Sequence, residues 1–223
     1  MSISKILLFA LISLASTKNI VLLGDSRTVG IGVQVLGFSL NNKATSEVGR
    51  NIIISSGAKI YNGHSIKVVA QSGSHFATYV NAANTISIGS TKVLSSSASG
   101  TVVLLWLGVN RLDAGATASY YKSLANKFKK LKFYAISVTG VSSQSNRSND
   151  KIKSFNAKMS SLLKNSGLSN LHYKSILLND DPTKVAIKDK IVLNIDTSTT
   201  DAKGLHYKVD GSKAILNAML SGI

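Results

Sequence analysis

Five apolar runs rich in β-branched residues punctuate this chain, at residues 20–23, 65–70, 101–107, 133–138 and 171–178, and the third of them, TVVLLWL, is almost unbroken. A strand with one face in water alternates apolar and polar residues, whereas a strand covered on both faces does not. Such runs call for a parallel sheet with helices on either side. Segments at helical spacing lie between or after them, at residues 76–88, 116–131, 148–163 and 209–220. This alternation predicts a three-layer α/β/α sandwich around a central, mostly parallel five-stranded sheet, flavodoxin-like in strand order. Residues 34–63 show no clear period and read as a loop with an extra hairpin, while the Ser/Gly-rich stretches 95–100 and 142–149 read as surface loops.

With 223 residues and 44% hydrophobic content the chain can bury one substantial core, and residues 16–223 read as a single domain. Residues 1–15 carry Lys5, an apolar stretch and then the small residues Ser13 and Ala15, the pattern of a signal peptide cleaved after Ala15. The competing reading is a buried first element of a cytoplasmic protein. The apolar run is too short for a membrane span, so the expectation is a secreted or cell-surface protein with no transmembrane segment in the mature chain. The absence of cysteine excludes disulfides, thiolate metal sites and a cysteine nucleophile. A formal charge of +16, with Glu47 the single glutamate, favours electrostatic association with anionic polymers. Many of the lysines also fall at the spacing of solvated helix faces. There is no zinc-finger or RRM signature and no interleaving of basic and aromatic residues, so no specific nucleic-acid recognition is expected.

The candidate chemistry sits just past the ends of the apolar runs. After the first comes GDSRTVG, residues 24–30, which puts the Ser26 hydroxyl where a parallel sheet opens onto its crevice. Ser26 there is either a nucleophile or a cap for the following helix. After the second run comes Gln71-Ser72-Gly73-Ser74, where Gly73 offers an unobstructed backbone N–H or simply makes a turn. After the third comes Gly108-Val109-Asn110, whose carboxamide is a second donor or a bridge to the backbone. Near the C-terminus, Gly204-Leu205-His206-Tyr207 precedes the last helix and puts an imidazole in a loop. An acyl-transfer site requires these parts: a nucleophilic oxygen, a base beside it, and donors aimed at a developing oxyanion.

Taken together and in this order, the four stretches resemble the blocks of the SGNH (GDSL-type) hydrolase superfamily. The resemblance runs from about Ile20 to the chain end, and residues 137–159, with the pair Phe155-Asn156, are similar to the fourth strand and following helix of bacterial members. It implies ester hydrolysis by a serine mechanism with no metal or cofactor. Ser26 would be the nucleophile and His206 the base, with the Ser26 N–H, the Gly73 N–H and the Asn110 side chain forming the oxyanion hole. Asp25 would organise the turn. Two positions depart from the pattern. Where the superfamily has Asp three residues before its His, this chain has Lys203, and the nearest upstream acid is Asp201. Asp201 completes a triad if the 201–204 loop bulges outward and turns Lys203 to solvent; otherwise a Ser–His dyad leans on a backbone carbonyl. Arg111 stands where the third block usually has Asp, which puts a cation beside the presumed pocket, for an acidic substrate or in a surface role. His75 is expected at the rim, with His64 and His172 unconnected to the site. No His/Asp/Glu cluster has metal-ligand spacing, so no cofactor is expected.

The expected function is an exported serine esterase acting on short-chain acyl esters, such as O-acetyl groups on carbohydrate. The alternatives are a non-catalytic module that grips an anionic polymer, which Lys203 favours, and a carbohydrate O-acyltransferase.

Overall fold

The computed structural model describes residues 17–40, 51–82, 85–88, 91–95 and 99–223, and the leader read at residues 1–15 lies outside them. Five parallel strands make the centre: β1 (Asn19–Gly24), β4 (His64–Gln71), β8 (Val102–Trp106), β9 (Lys132–Ile136) and β10 (Leu171–Lys174). Their spatial order is β4-β1-β8-β9-β10, the 2-1-3-4-5 order of flavodoxin-like sheets. The sheet is wider than the five strands expected. Two short strands, β2 (Ile52–Ile54) and β3 (Lys59–Tyr61), both pair antiparallel with β4 and extend the edge to seven strands in all. They account for part of the 34–63 region, whose short β runs leave too few residues to show a period.

The apolar runs are continuous because successive side chains enter different cores. In β1, Val21 and Leu23 pack under α2 (Ala114–Lys127) and α3 (Asn149–Lys164), with Tyr121, Leu124, Ile152 and Phe155. Ile20 and Leu22 face the other way, toward α1 (Ser26–Gln34) and α4 (Val209–Leu220), with Val29, Ile215 and Leu216. Strand β8 divides likewise into Val103 and Leu105 against Leu104 and Trp106. Side-chain caps set the helix starts. Asp113 accepts from Ala116 N at 3.0 Å and starts α2 two residues earlier than the spacing predicts, and Ser148 caps α3 through Lys151 N.

The helix expected at residues 76–88 does not form. A single 3-10 turn, Phe76–Thr78, leads into β5 (Tyr79–Ala82) and β6 (Thr85–Ile88), which with β7 (Thr91–Ser95) make a separate antiparallel sheet. Alanines at 77, 82 and 83 give the segment a helical look, but Thr78, Val80, Thr85, Ile86 and Ile88 are β-branched and lose χ1 freedom in a helix. A further hairpin, β11 (Lys184–Ile187) with β12 (Lys190–Asn194), packs on α4. No helix among the described residues is long and apolar enough to cross a membrane.

Candidate active site

Parallel strands point their carboxyl ends to one side of the sheet, and there the four singled-out stretches meet. Ser26 is the first residue of α1, while the residue that caps the helix is Asp25, whose Oδ1 accepts from Arg27 N at 2.9 Å. The capping role considered for Ser26 thus belongs to its neighbour. The half-buried Ser26 hydroxyl points instead at an imidazole: its Oγ lies 2.9 Å from His206 Nε2. On the far side of the ring, His206 Nδ1 is 3.0 Å from Asp201 Oδ2. Serine, imidazole and carboxylate form one chain of hydrogen bonds across 180 residues of sequence.

The carboxylate reaches His206 because the intervening loop is folded back on itself. Asp201 Oδ1 accepts from Leu205 N at 3.0 Å and from His206 N at 3.2 Å, Asp201 N donates to His206 O, and Gly204 N donates to Asp201 O. Gly204 closes this loop in the left-handed region, at φ +65°, where a Cβ would collide with Ser142 Oγ and lie 2.9 Å from Ser145 N. Lys203 is exposed, and the partner of the imidazole is the acid, Asp201. Partial burial pushes the Asp201 carboxyl up, but hydrogen bonds from the His206 ring and from the His206 and Leu205 N–H groups outweigh it and hold it below the ordinary carboxylate range.

The donor side is built from β4 and β8. Gly73 has φ +76°, and its N–H donates to no described residue. The next residue, Ser74, is buried and bonds Gly24 O at 3.1 Å, which the Tyr79 hydroxyl also bonds, tying this turn to the end of β1. Asn110 donates one amide N–H to Ser74 O at 3.0 Å, leaving its second N–H for another acceptor. The Ser26 N–H, in the first turn of α1, has no intrahelical acceptor. Beside Ser26 and His206 opens a cavity of about 280 Å³, whose lining includes Gly30, Val33, Leu40, Asn51 and Ser72. His75 caps the 3-10 turn through Nδ1, which accepts from Ala77 N, and His64 and His172 stand on β4 and β10, away from the constellation.

Arg27 is the part that the sequence did not reveal. It is 3% exposed, and its guanidinium donates to Thr139 O at 2.6 Å, Thr139 Oγ1 at 3.1 Å, Gly140 O at 3.0 Å and Leu205 O at 3.1 Å. It also stacks on the Tyr207 ring, 5.2 Å from the centroid. Leu205 and Tyr207 flank His206, so the residue after the serine clamps both neighbours of the base. The only sequence signal is an arginine at the start of an otherwise uncharged, largely apolar helix.

Asp25 is buried beside this cation. Burial pushes its carboxyl from 3.8 up to about 6, against the pull of the Arg27 charge, the Arg27 N–H and His206. A folded-state pKa above the unfolded one means that the folded protein binds the extra proton, so this group's contribution falls as pH rises from about 4 through about 6. The shift corresponds to roughly 3 kcal/mol at about 1.4 kcal/mol per unit. Asp25→Asn keeps the capping oxygen and cannot ionise. Its stability relative to wild type is expected to rise by roughly that amount between pH 4 and pH 7 in urea unfolding; a pH-independent difference would contradict the assignment.

No protein-family model matches the sequence, and no curated protein does. Solved structures do match. The chain is similar to phospholipase A1 from Streptomyces albidoflavus, at 14% identity over 92% of this chain and 98% of that one, with a TM-score of 0.51. It is also similar to a candidate acylhydrolase from Bacteroides fragilis, at 15% identity over 91% of this chain and 84% of that one, TM-score 0.53. A carbohydrate esterase of family 3 from Talaromyces cellulolyticus matches at 12% identity over 91% and 94%, TM-score 0.50. At such identities the likeness speaks for architecture, and what it shows, together with the strand order above, is that this chain has the SGNH-hydrolase fold.

Proposed function

We propose that the chain is a serine esterase that hydrolyses short-chain acyl esters through an acyl-enzyme. The observation that carries this reading is the continuous Ser26–His206–Asp201 chain, with contacts of 2.9 Å and 3.0 Å. Ser26 Oγ attacks the acyl carbon as its proton passes to His206 Nε2, while Asp201 holds the Nδ1–H and stabilises the imidazolium. The carbonyl oxygen becomes an oxyanion facing the Ser26 N–H, the Gly73 N–H and the free Asn110 amide N–H. Collapse of this intermediate breaks the ester C–O bond, and His206 Nε2 returns the proton to the departing alcohol. Water then attacks the acyl-enzyme, giving its proton to His206, and a second collapse breaks the acyl–Oγ bond, with His206 Nε2 returning that proton to Ser26 Oγ as the carboxylic acid departs.

A cavity of about 280 Å³ whose lining includes Val29, Val33 and Leu40 suits the carbon chain of a small acyl group. The likeness to a carbohydrate esterase is in keeping with acyl groups borne on sugars. The leader-like residues 1–15 support action outside the cell, and the +16 charge supports retention on anionic wall polymers. Steady-state hydrolysis of 4-nitrophenyl acetate and butyrate tests the reading. Saturable turnover is expected; release of nitrophenol no faster than in buffer with either ester would contradict it.

A further inference from the structure

One cation beside the site takes no part in the chemistry above. Arg111 follows Asn110 directly in the turn after β8, and its own N–H closes that turn onto Gly108 O at 3.0 Å. Its side chain is exposed, yet it is not loose: the guanidinium carbon lies 5.0 Å from the centroid of the Phe76 ring. Phe76 is in turn met edge-on by His75, at 5.5 Å and 66°. This aromatic pair belongs to the 3-10 turn that begins just after Gly73 and Ser74, and Ser74 O is the group that holds Asn110. Arg111 therefore lies on the strip that joins the two outer donors of the oxyanion side.

A cation–π contact takes none of the guanidinium's N–H groups as hydrogen-bond donors, so they remain available. No carboxylate among the described residues pairs with that edge. The nearest acid in sequence, Asp113, is engaged as the cap of α2. The Arg27 guanidinium has four hydrogen-bond contacts to backbone and hydroxyl oxygens, whereas Arg111 lies over an aromatic ring and has no side-chain acceptor among the described residues. A planar fork of donors fits a carboxylate or phosphate two oxygens at a time. Consecutive Cα atoms are about 3.8 Å apart, so the Arg111 side chain starts one residue from the amide proposed to hold the carbonyl oxygen.

Resting on the serine-esterase reading, we propose that Arg111 is a specificity-determining residue that binds an anionic group, a carboxylate or a phosphate, carried by the ester substrate close to its reacting carbonyl. The diffuse lysine field attracts any anion; Arg111 holds this one in register with the oxyanion donors.

Two matched pairs of esters test this in wild type and Arg111→Gln. 4-Acetoxybenzoate against its methyl ester puts the carboxylate on the alcohol half, and mono-4-nitrophenyl glutarate against 4-nitrophenyl butyrate puts it on the acyl half. The quantity read is the ratio of kcat/KM, anionic over neutral, within each pair. Wild type is expected to favour the anionic member of one pair by about tenfold or more, as a charge-assisted bidentate contact does. Arg111→Gln is expected to bring that ratio close to one, and Arg111→Lys to restore part of it. The pair that responds identifies which half carries the anion. Turnover of the neutral esters with no anionic preference in either pair, or a preference that survives in Arg111→Gln, overturns the assignment and leaves the esterase reading standing. Failure to turn over any of the four esters overturns both.

Discussion

Ser26→Ala is expected to lower kcat for 4-nitrophenyl acetate by about 10³-fold or more, with little change in melting temperature, because members of a nucleophile–base unit fail together. Stability is spared for a local reason: Asp25, not Ser26, caps α1, and the Ser26 hydroxyl contributes only its 2.9 Å contact with His206 Nε2. The same logic makes the double variant Ser26→Ala/His206→Ala no worse than the worse single one, since an imidazole with no alcohol to deprotonate has lost its task. A Ser26→Ala enzyme that keeps wild-type turnover would remove Ser26 from the mechanism. A variant that instead melts early would make the serine a structural residue.

The second large effect is expected at Asp201. Asp201→Asn keeps the shape of the side chain but offers His206 Nδ1 a neutral partner, able to favour the wrong tautomer and unable to stabilise the imidazolium. The two side chains are 38% and 41% exposed, and solvent shares the work of the carboxylate, so the loss is expected at about 10²-fold in kcat, below that of more buried triads. Asp201 is held below the ordinary carboxylate range and so stays ionised through neutral pH. A carboxylate with a depressed folded pKa contributes stability above its unfolded value and loses it as pH falls through the folded one, the opposite of Asp25. Lys203→Ala is the matching control: the side chain is turned to solvent, and its removal is expected to leave kcat near wild type. Equal losses at Asp201 and Lys203 would mean that the loop, not the carboxylate, matters.

The parallel core was legible because strands covered on both faces write themselves as unbroken apolar runs, as Ile20–Leu23 and Val102–Trp106 do in dividing their side chains between two cores. Less legible was whatever depends on short elements. The helix expected over residues 76–88 competes with five β-branched residues, three of them clustered at 85–88, and pairing with neighbouring strands decides the outcome. The placement of Ser26, His206, Gly73 and Asn110 at one end of the sheet was readable because each follows an apolar run or precedes the last helix. The Asp201 contact depends on a loop conformation that Gly204 permits, and spacing alone left it open. Arg27 was hidden, since its acceptors lie 112 to 178 residues away in sequence and nothing local foretells that Thr139, Gly140 and Leu205 will converge on it.

One hydroxyl among the chain's many serines is expected to be activated, and active-site labelling reads out which. After treatment of the full chain with a fluorophosphonate, peptide mass spectrometry is expected to find a single phosphonylated residue, Ser26, and His206→Ala is expected to abolish the label. Absence of labelling in the wild-type protein, or a label on another serine that persists without His206, would contradict the account.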